Sequence, residues 1–125
     1  VFLKVIYGGE EFDDAASYDP TTSVFTAPSN GVYMFGASVM TSTPSSASME
    51  LILAVNGDMY SRLDKKEQLS SFDWQTMNGT SLQRLSAGDR VEIWFYSTVS
   101  GTVIVPDTPT FGYRNNSFFG YRVSA

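Results

Sequence analysis

Asn56-Gly57-Asp58 stands between two apolar runs, "MELILAV" at residues 49–55 and "MYSRL" at residues 59–63. Asn-Gly accepts the positive φ angles that a tight connection between antiparallel strands requires, so this stretch predicts a hairpin. The same punctuation recurs along the chain. Pro28-Ser29-Asn30-Gly31 separates Ser23–Thr26 from Val32–Met40, and Ser86-Ala87-Gly88-Asp89 separates Ser81–Leu85 from Arg90–Ser97. Val1–Tyr7, Tyr18–Pro20 and Ser117–Val123 are further strand-like runs. No window keeps apolar residues at i, i+3, i+4 and i+7 without interruption by Gly, Pro or strand-favouring residues, so no helix is expected. Short strands with regular turns predict an all-β sandwich or barrel.

Two runs say more about burial. "RVEIWFYS" alternates Val91, Ile93 and Phe95 against Glu92, Trp94 and Tyr96, as a strand with one face in the core should. Val32–Met40 is apolar at nearly every position, which predicts cover on both faces. "GGEEFDDAAS", "TSTPSSAS" (41–48), the polar stretch from Asp64 and the segment 98–116 read as loops. If strands alternate in direction, the turns at 28–31, 56–58 and 87–89 share one end with both termini. The loops at 41–48, 64–76 and 98–116 then share the other end, which becomes the presenting surface if a stalk attaches at the terminal end. Loops on a rigid scaffold tend to carry recognition.

A chain of 125 residues suggests one domain, residues 1–125, large enough to fold without staples. It has no cysteine, so no disulfide framework exists. Charged residues are 17% of the chain, below the roughly 25% usual for globular proteins. Against that stand nine Phe, seven Tyr and two Trp, a combination that predicts surface covered by something other than water. The net charge of −5 argues against nucleic acid and against anionic membranes as partners. No apolar run is long enough for a membrane-spanning helix, so no membrane insertion is expected. No basic segment followed by an apolar one marks a signal peptide, and the strand-like start "VFLKVIY" suggests a piece of something longer.

The absence of histidine and cysteine removes Ser-His-Asp and Cys-His nucleophilic sites and the common zinc sites. Paired carboxylates remain as a route to glycoside hydrolysis. The acidic cluster Glu10, Glu11, Asp13 and Asp14 reads instead as a solvated loop, and beside Gly8-Gly9 it would repel phosphate. No catalytic residue is assigned, and the chain is expected not to be an enzyme.

Five short motifs occur in a fixed order. They are Tyr18-Asp19-Pro20 with Phe25-Thr26-Ala27-Pro28; Gly31-Val32-Tyr33-Met34-Phe35; Val55-Asn56-Gly57; Leu85-Ser86-Ala87-Gly88-Asp89-Arg90-Val91; and Ser117-Phe118-Phe119-Gly120-Tyr121. In this order they resemble the globular-head domain of complement C1q, within the C1q/TNF superfamily. The chain departs from the pattern in its short acidic lead and in Ala27, where many members carry Cys. The resemblance implies a jelly-roll sandwich of about ten antiparallel strands that assembles as a tight homotrimer. A trimer would account for the doubly covered Val32–Met40 and for the surplus of aromatics. The implied function is non-enzymatic: a secreted or extracellular recognition head, in innate immunity or at a cell, virion or spore surface, binding a protein or glycan ligand. Alternatives are a structural trimerisation cap on a fibre and, more remotely, a carboxylate glycosidase.

Phe25, Tyr33, Phe35, Phe118 and Tyr121 are read as core or interface residues. Gly31, Gly57, Gly88 and Gly120 are read as backbone requirements, with Asn56 and Asp89 as turn residues. Lys65, Lys66, Phe72, Trp74, Phe111, Tyr113 and Arg114 are the candidate ligand-binding residues, with plugging of the trimer or sandwich end as the plain alternative for Trp74 and Phe111. No organic cofactor is expected. Superfamily members that hold calcium make Asp58, Asp64, Asp73 and Asp107, or the cluster at 10–14, candidate ligands for Ca2+. Asn78-Gly79-Thr80 and Asn115-Asn116-Ser117 are glycosylation sequons.

Overall fold

The computed structural model describes residues 1–7, 17–68, 72–105 and 116–125, with Phe72 and Asp73 by their backbone. Their regular elements are β1 (Phe2–Lys4), β2 (Tyr18–Asp19), β3 (Val24–Thr26), β4 (Gly31–Thr43), β5 (Ala47–Val55), β6 (Asp58–Gln68), β7 (Phe72–Leu85), β8 (Arg90–Ser97), β9 (Val103–Ile104) and β10 (Ser117–Ser124). The larger, six-stranded sheet runs β2-β3-β8-β5-β6 with β1 on β8, and the smaller, four-stranded sheet runs β10-β4-β7 with β9 on β4. Every pairing is antiparallel. The chain forms the all-β sandwich that its turn spacing predicts, and among the described residues no helix is long and apolar enough to cross a membrane.

Strand alternation builds the core. Val91, Ile93 and Phe95 of β8 point inward while Glu92, Trp94 and Tyr96 point outward. Tyr33, Phe35, Ala37 and Val39 of β4 face them from the other sheet. Phe25 meets Phe35 edge-on at 5.0 Å, and Phe118 packs 5.0 Å from Tyr18 and 5.7 Å from Tyr7. Edge-to-face contacts of this kind add to area burial because the ring's positive edge meets a negative face. Burial pushes the Tyr7 phenol well above its ordinary range, so it stays protonated and donates to the Ser38 carbonyl at 3.3 Å.

Three segments differ from the sequence reading. Residues 41–48 are mostly strand, since β4 continues to Thr43 and β5 starts at Ala47. The polar stretch from Asp64 also continues β6 to Gln68, and β7 begins at Phe72. β6 lies at the edge of its sheet, where charged side chains are compatible with a strand and guard it against stray pairing. The termini do not share an end. β10 finishes beside Val32, at the turn end, whereas the Val1 ammonium donates to the Ser97 carbonyl at 2.7 Å, at the other end. The cause is β1, which lies antiparallel on β8, so the assumption that both termini mark one end, and with it the choice of presenting surface, does not hold.

The turn end is closed by a hydrogen-bonded knot. Asn56 and Gly57 adopt φ of 52° and 87°, the left-handed pair that an Asn-Gly hairpin needs. Asn56 Nδ2 donates to Asp89 Oδ1 at 3.0 Å, and the Arg90 amide donates to Asn56 Oδ1 at 2.9 Å. Asp89 Oδ2 accepts the Ser86 amide at 2.8 Å. The Ala27 amide donates to the Asp89 carbonyl and the Gly88 amide to the Ala27 carbonyl, both at 2.8 Å. The Ala87 amide donates to Asn30 Oδ1 at 2.8 Å, and the Tyr33 hydroxyl donates to the Ser29 carbonyl at 2.7 Å. Three turns far apart in the chain are thereby held as one unit.

The opposite end is closed by buried hydroxyls. Ser97 and Thr102 share a hydrogen bond of 2.9 Å, Thr102 donates to Thr43 at 3.2 Å, and Thr43 donates to the Ser45 carbonyl at 3.1 Å. Gln68, 5% exposed and paired in register with Ala47, is the exception: among the described residues neither atom of its amide has a partner.

Two measurements follow from these ends. The Asn56 amide, then the Ser86 N–H and the Arg90 charge, hold the Asp89 carboxyl below its ordinary range. A carboxyl depressed in the folded state contributes stability above its unfolded value, about 3.9, and that contribution is lost as pH falls through the folded value. Asp89→Asn should therefore lower the melting temperature at pH 7, and the gap to the parent chain should close in thermal melts below about pH 4. Gln68→Met keeps the side chain's length and removes two unsatisfied polar atoms, so it should raise stability by about 1 kcal/mol in urea melts; a loss would mean that the amide is satisfied in solution.

Candidate functional site

Among the described ligand-binding candidates, Lys65, Lys66 and Trp74 do not converge. Lys65 and Lys66 lie on β6, in register with Glu50 and Met49 of the larger sheet. Phe72 and Trp74 lie on β7, in the smaller sheet. Lys65 is therefore on one side of the sandwich and Trp74 on the other, and neither belongs to an end loop. Phe111, Tyr113 and Arg114 lie outside the described residues.

The two calcium candidates with described side chains, Asp58 and Asp64, stand apart. Asp58 and Asp64 are six residues apart on an extended strand, roughly 20 Å at the usual rise. Asp64 already accepts the Lys65 amide at 2.8 Å and the Asn78 amide at 3.1 Å. Only the backbone of Asp73 is described, and Asp107 and residues 10–14 lie outside the described residues. Among the described residues no three acidic side chains gather into a cation site.

The core candidates occupy two positions. Phe25, Tyr33, Phe35 and Phe118 are buried between the sheets. Gly120 also points inward, against the Phe35 ring, and Gly31 packs under Arg122. Tyr121 is on the outward face of the smaller sheet, where it stacks on Phe119 at 6.0 Å.

That outward face is the most distinctive surface of the molecule. Cross-strand register sets Tyr121, Met34 and Leu82 in one row and Phe119, Gly36 and Thr80 in the next. The Phe119 ring lies over Gly36, where any β-carbon would overlap it. Ser117, Ser38 and Asn78 form the third row and Met40 pairs with Thr76 beyond it. Gly36, Ser38, Asn78, Gly79 and Thr80 line a shallow depression beside Phe119. Trp74, 62% exposed, extends the face toward Val103. From Trp74 to Leu82 on β7, along β4 and from Ser117 to Tyr121 on β10, the outward positions carry no charge; Arg84 stands at the rim.

Sequence reading placed Tyr121 in the core-or-interface set but missed Phe119, Met34 and Leu82 as a group. The available signal was the second parity of each strand: Val32 and Met34 in "GVYMF", Leu82 in "SLQRL", and Phe119 and Tyr121 in "SFFGY" face away from the core and are apolar too. Asn78, the sequon asparagine, is on this same face, in the middle of β7. Gly79 beside it faces the other way, against the Leu63 backbone, which brings β6 and β7 together along their edges. Asn115 lies outside the described residues.

The comparisons with known proteins agree with this architecture. A family model described as the C1q domain matches residues 2–120. The uncharacterized protein YqcC of Bacillus subtilis strain 168 is 30% identical over 104 residues, which cover 78% of this chain and 28% of that protein. The chain thus spans little more than a quarter of that relative. Among solved structures, the globular domain of the zebrafish complement 1qA protein is similar in fold, with a TM-score of 0.55 at 18% identity over 96% of this chain and 86% of that one.

Proposed function

The chain belongs to the C1q domain family, and on that premise we propose that it is the non-enzymatic head of a homotrimer, located outside the cell, that recognises a protein or carbohydrate ligand. The observation that supports assembly is the uncharged outward face of the smaller sheet. An antiparallel sheet with one face in the core normally turns polar side chains to water on the other. Here Val32, Met34, Met40, Phe119, Tyr121 and Leu82 are on that face instead. Contiguous apolar surface of this kind marks an interaction site, and three copies related by a closed ring can bury it with a heterologous contact. The low charge content, 17%, has the same explanation.

Three copies also give a ligand three simultaneous contacts, so weak single sites can add to useful avidity. A fibre cap would use the same trimer, but its remaining surface would tolerate change without loss of binding.

Light scattering on the isolated chain should return three times the 13.8 kDa chain mass. Met34→Glu places an unpaired carboxylate at the centre of the face, a cost of several kcal/mol once water is excluded. It should give a folded monomer, with the far-UV dichroism of the parent chain and one third of its mass. A parent chain that is itself monomeric would overturn the assembly reading.

A further inference from the structure

The larger sheet also has an outward face, and it is built differently. Register sets Phe2, Tyr96, Glu50 and Lys65 in one row across β1, β8, β5 and β6. The next row is Lys4, Trp94, Ile52 and Arg62, and the third begins Glu92, Ala54 and Met59. Phe2 and Tyr96 are in ring contact at 4.7 Å. Ile52 and Ala54 are buried yet lie outside the core cluster on this outward side, so the middle of the face is apolar. Trp94 stands there, partly exposed, with Tyr96 two residues along the strand, roughly 7 Å away.

Two ion pairs flank Trp94. On one side Lys4 Nζ contacts Glu92 Oε2 at 2.8 Å; on the other Arg62 pairs with Glu50. Both run diagonally between the rows, so each carboxylate is held beside the aromatic strip. Each of these two pairs is neutral, and Lys65 of the first row is 3.9 Å from Glu67.

We infer that this face binds a neutral oligosaccharide, with Trp94 and Tyr96 as the platform and the Glu50–Arg62 and Glu92–Lys4 pairs as its hydrogen-bonding margins. A sugar ring presents C–H groups on its flat side and hydroxyls around its edge. The flat side suits an aromatic surface, and the hydroxyls suit carboxylate acceptors and cationic donors, whose hydrogen bonds are stronger than neutral ones. The ion pairs around Trp94 leave little net charge to attract a charged glycan, and the chain's net charge of −5 repels an acidic one. A protein partner fits less well, because dry contact would strip both ion pairs of water with no return in hydrogen bonds. Sugar hydroxyls replace that water. The face is on the sheet opposite the proposed assembly surface. This inference names a ligand class and a place for the recognition role proposed above and rests on that role, but not on the trimer.

The test is calorimetric titration of the chain with chitohexaose and cellohexaose, with polygalacturonate as the acidic comparator, and light scattering on the same samples. Saturable binding of a neutral probe is expected, with no binding of polygalacturonate. Trp94→Ala should weaken it at least ten-fold, Trp94→Phe should retain most of it, and Glu50→Gln should weaken it several-fold, all with unchanged mass and dichroism. The inference is overturned if neither neutral probe binds at millimolar concentration, if binding survives Trp94→Ala, or if the acidic polymer binds better. A mass above the trimer that Trp94→Ala reduces would also overturn it, since the face would then be a contact between copies. A trimer that binds no sugar would fail this inference alone; a monomer that binds sugar through Trp94 would fail the assembly reading alone.

Discussion

β4 is the strand on which the rest of the molecule depends. It is the centre of the smaller sheet, bonded to β7 on one edge and to β10 and β9 on the other. Tyr33, Phe35, Ala37 and Val39 supply one wall of the core. Because side chains alternate at every residue, the intervening Val32, Met34, Gly36, Ser38 and Met40 must point away from the core. A one-residue slip would exchange the two sets, and the aromatic contacts of Phe35 with Phe25 and Phe118 oppose such a slip. The register that fixes the core therefore also fixes the outward face.

The knot at the turn end serves the same register from outside. The Asp89 carbonyl and the Asn56 and Asn30 side chains accept backbone amides of other turns, so the start of β4, the β5–β6 hairpin and the start of β8 are aligned together. This gives the family motifs a physical reading. The motifs around Pro28, Asn56 and Asp89 are widely separated in the chain because each supplies one turn of a shared end. Phe118 and Gly120 belong to the same logic, since β10 must bring a ring into the core and leave room for Phe35.

The two outward faces then differ in electrostatics. The smaller sheet turns uncharged side chains outward, which favours burial against another subunit, since no ion on it must be desolvated. The larger sheet turns rings outward between paired charges, which favours a wet, hydrogen-bonding contact. The proposed assembly surface and the proposed recognition surface thus lie on opposite sides of one sandwich.

The turns, the strand alternation of β8 and the doubly apolar β4 were legible in the chain because each is a local pattern with a local cause. Family motifs and the buried aromatics were legible for the same reason. The extension of β6 through Asp64-Lys65-Lys66-Glu67 was not, because an edge strand can be charged along its length and then looks like a loop. Nor could the chain reveal that Lys65 and Trp74, neighbours in one polar stretch, would stand on opposite sides of the sandwich. The sequence alone determined the strand-and-turn plan, the absence of His and Cys chemistry and the family. Which second-parity residues share a face, which carboxylates are paired and where the termini emerge were decided by tertiary structure, because cross-strand register is set by packing between segments dozens of residues apart.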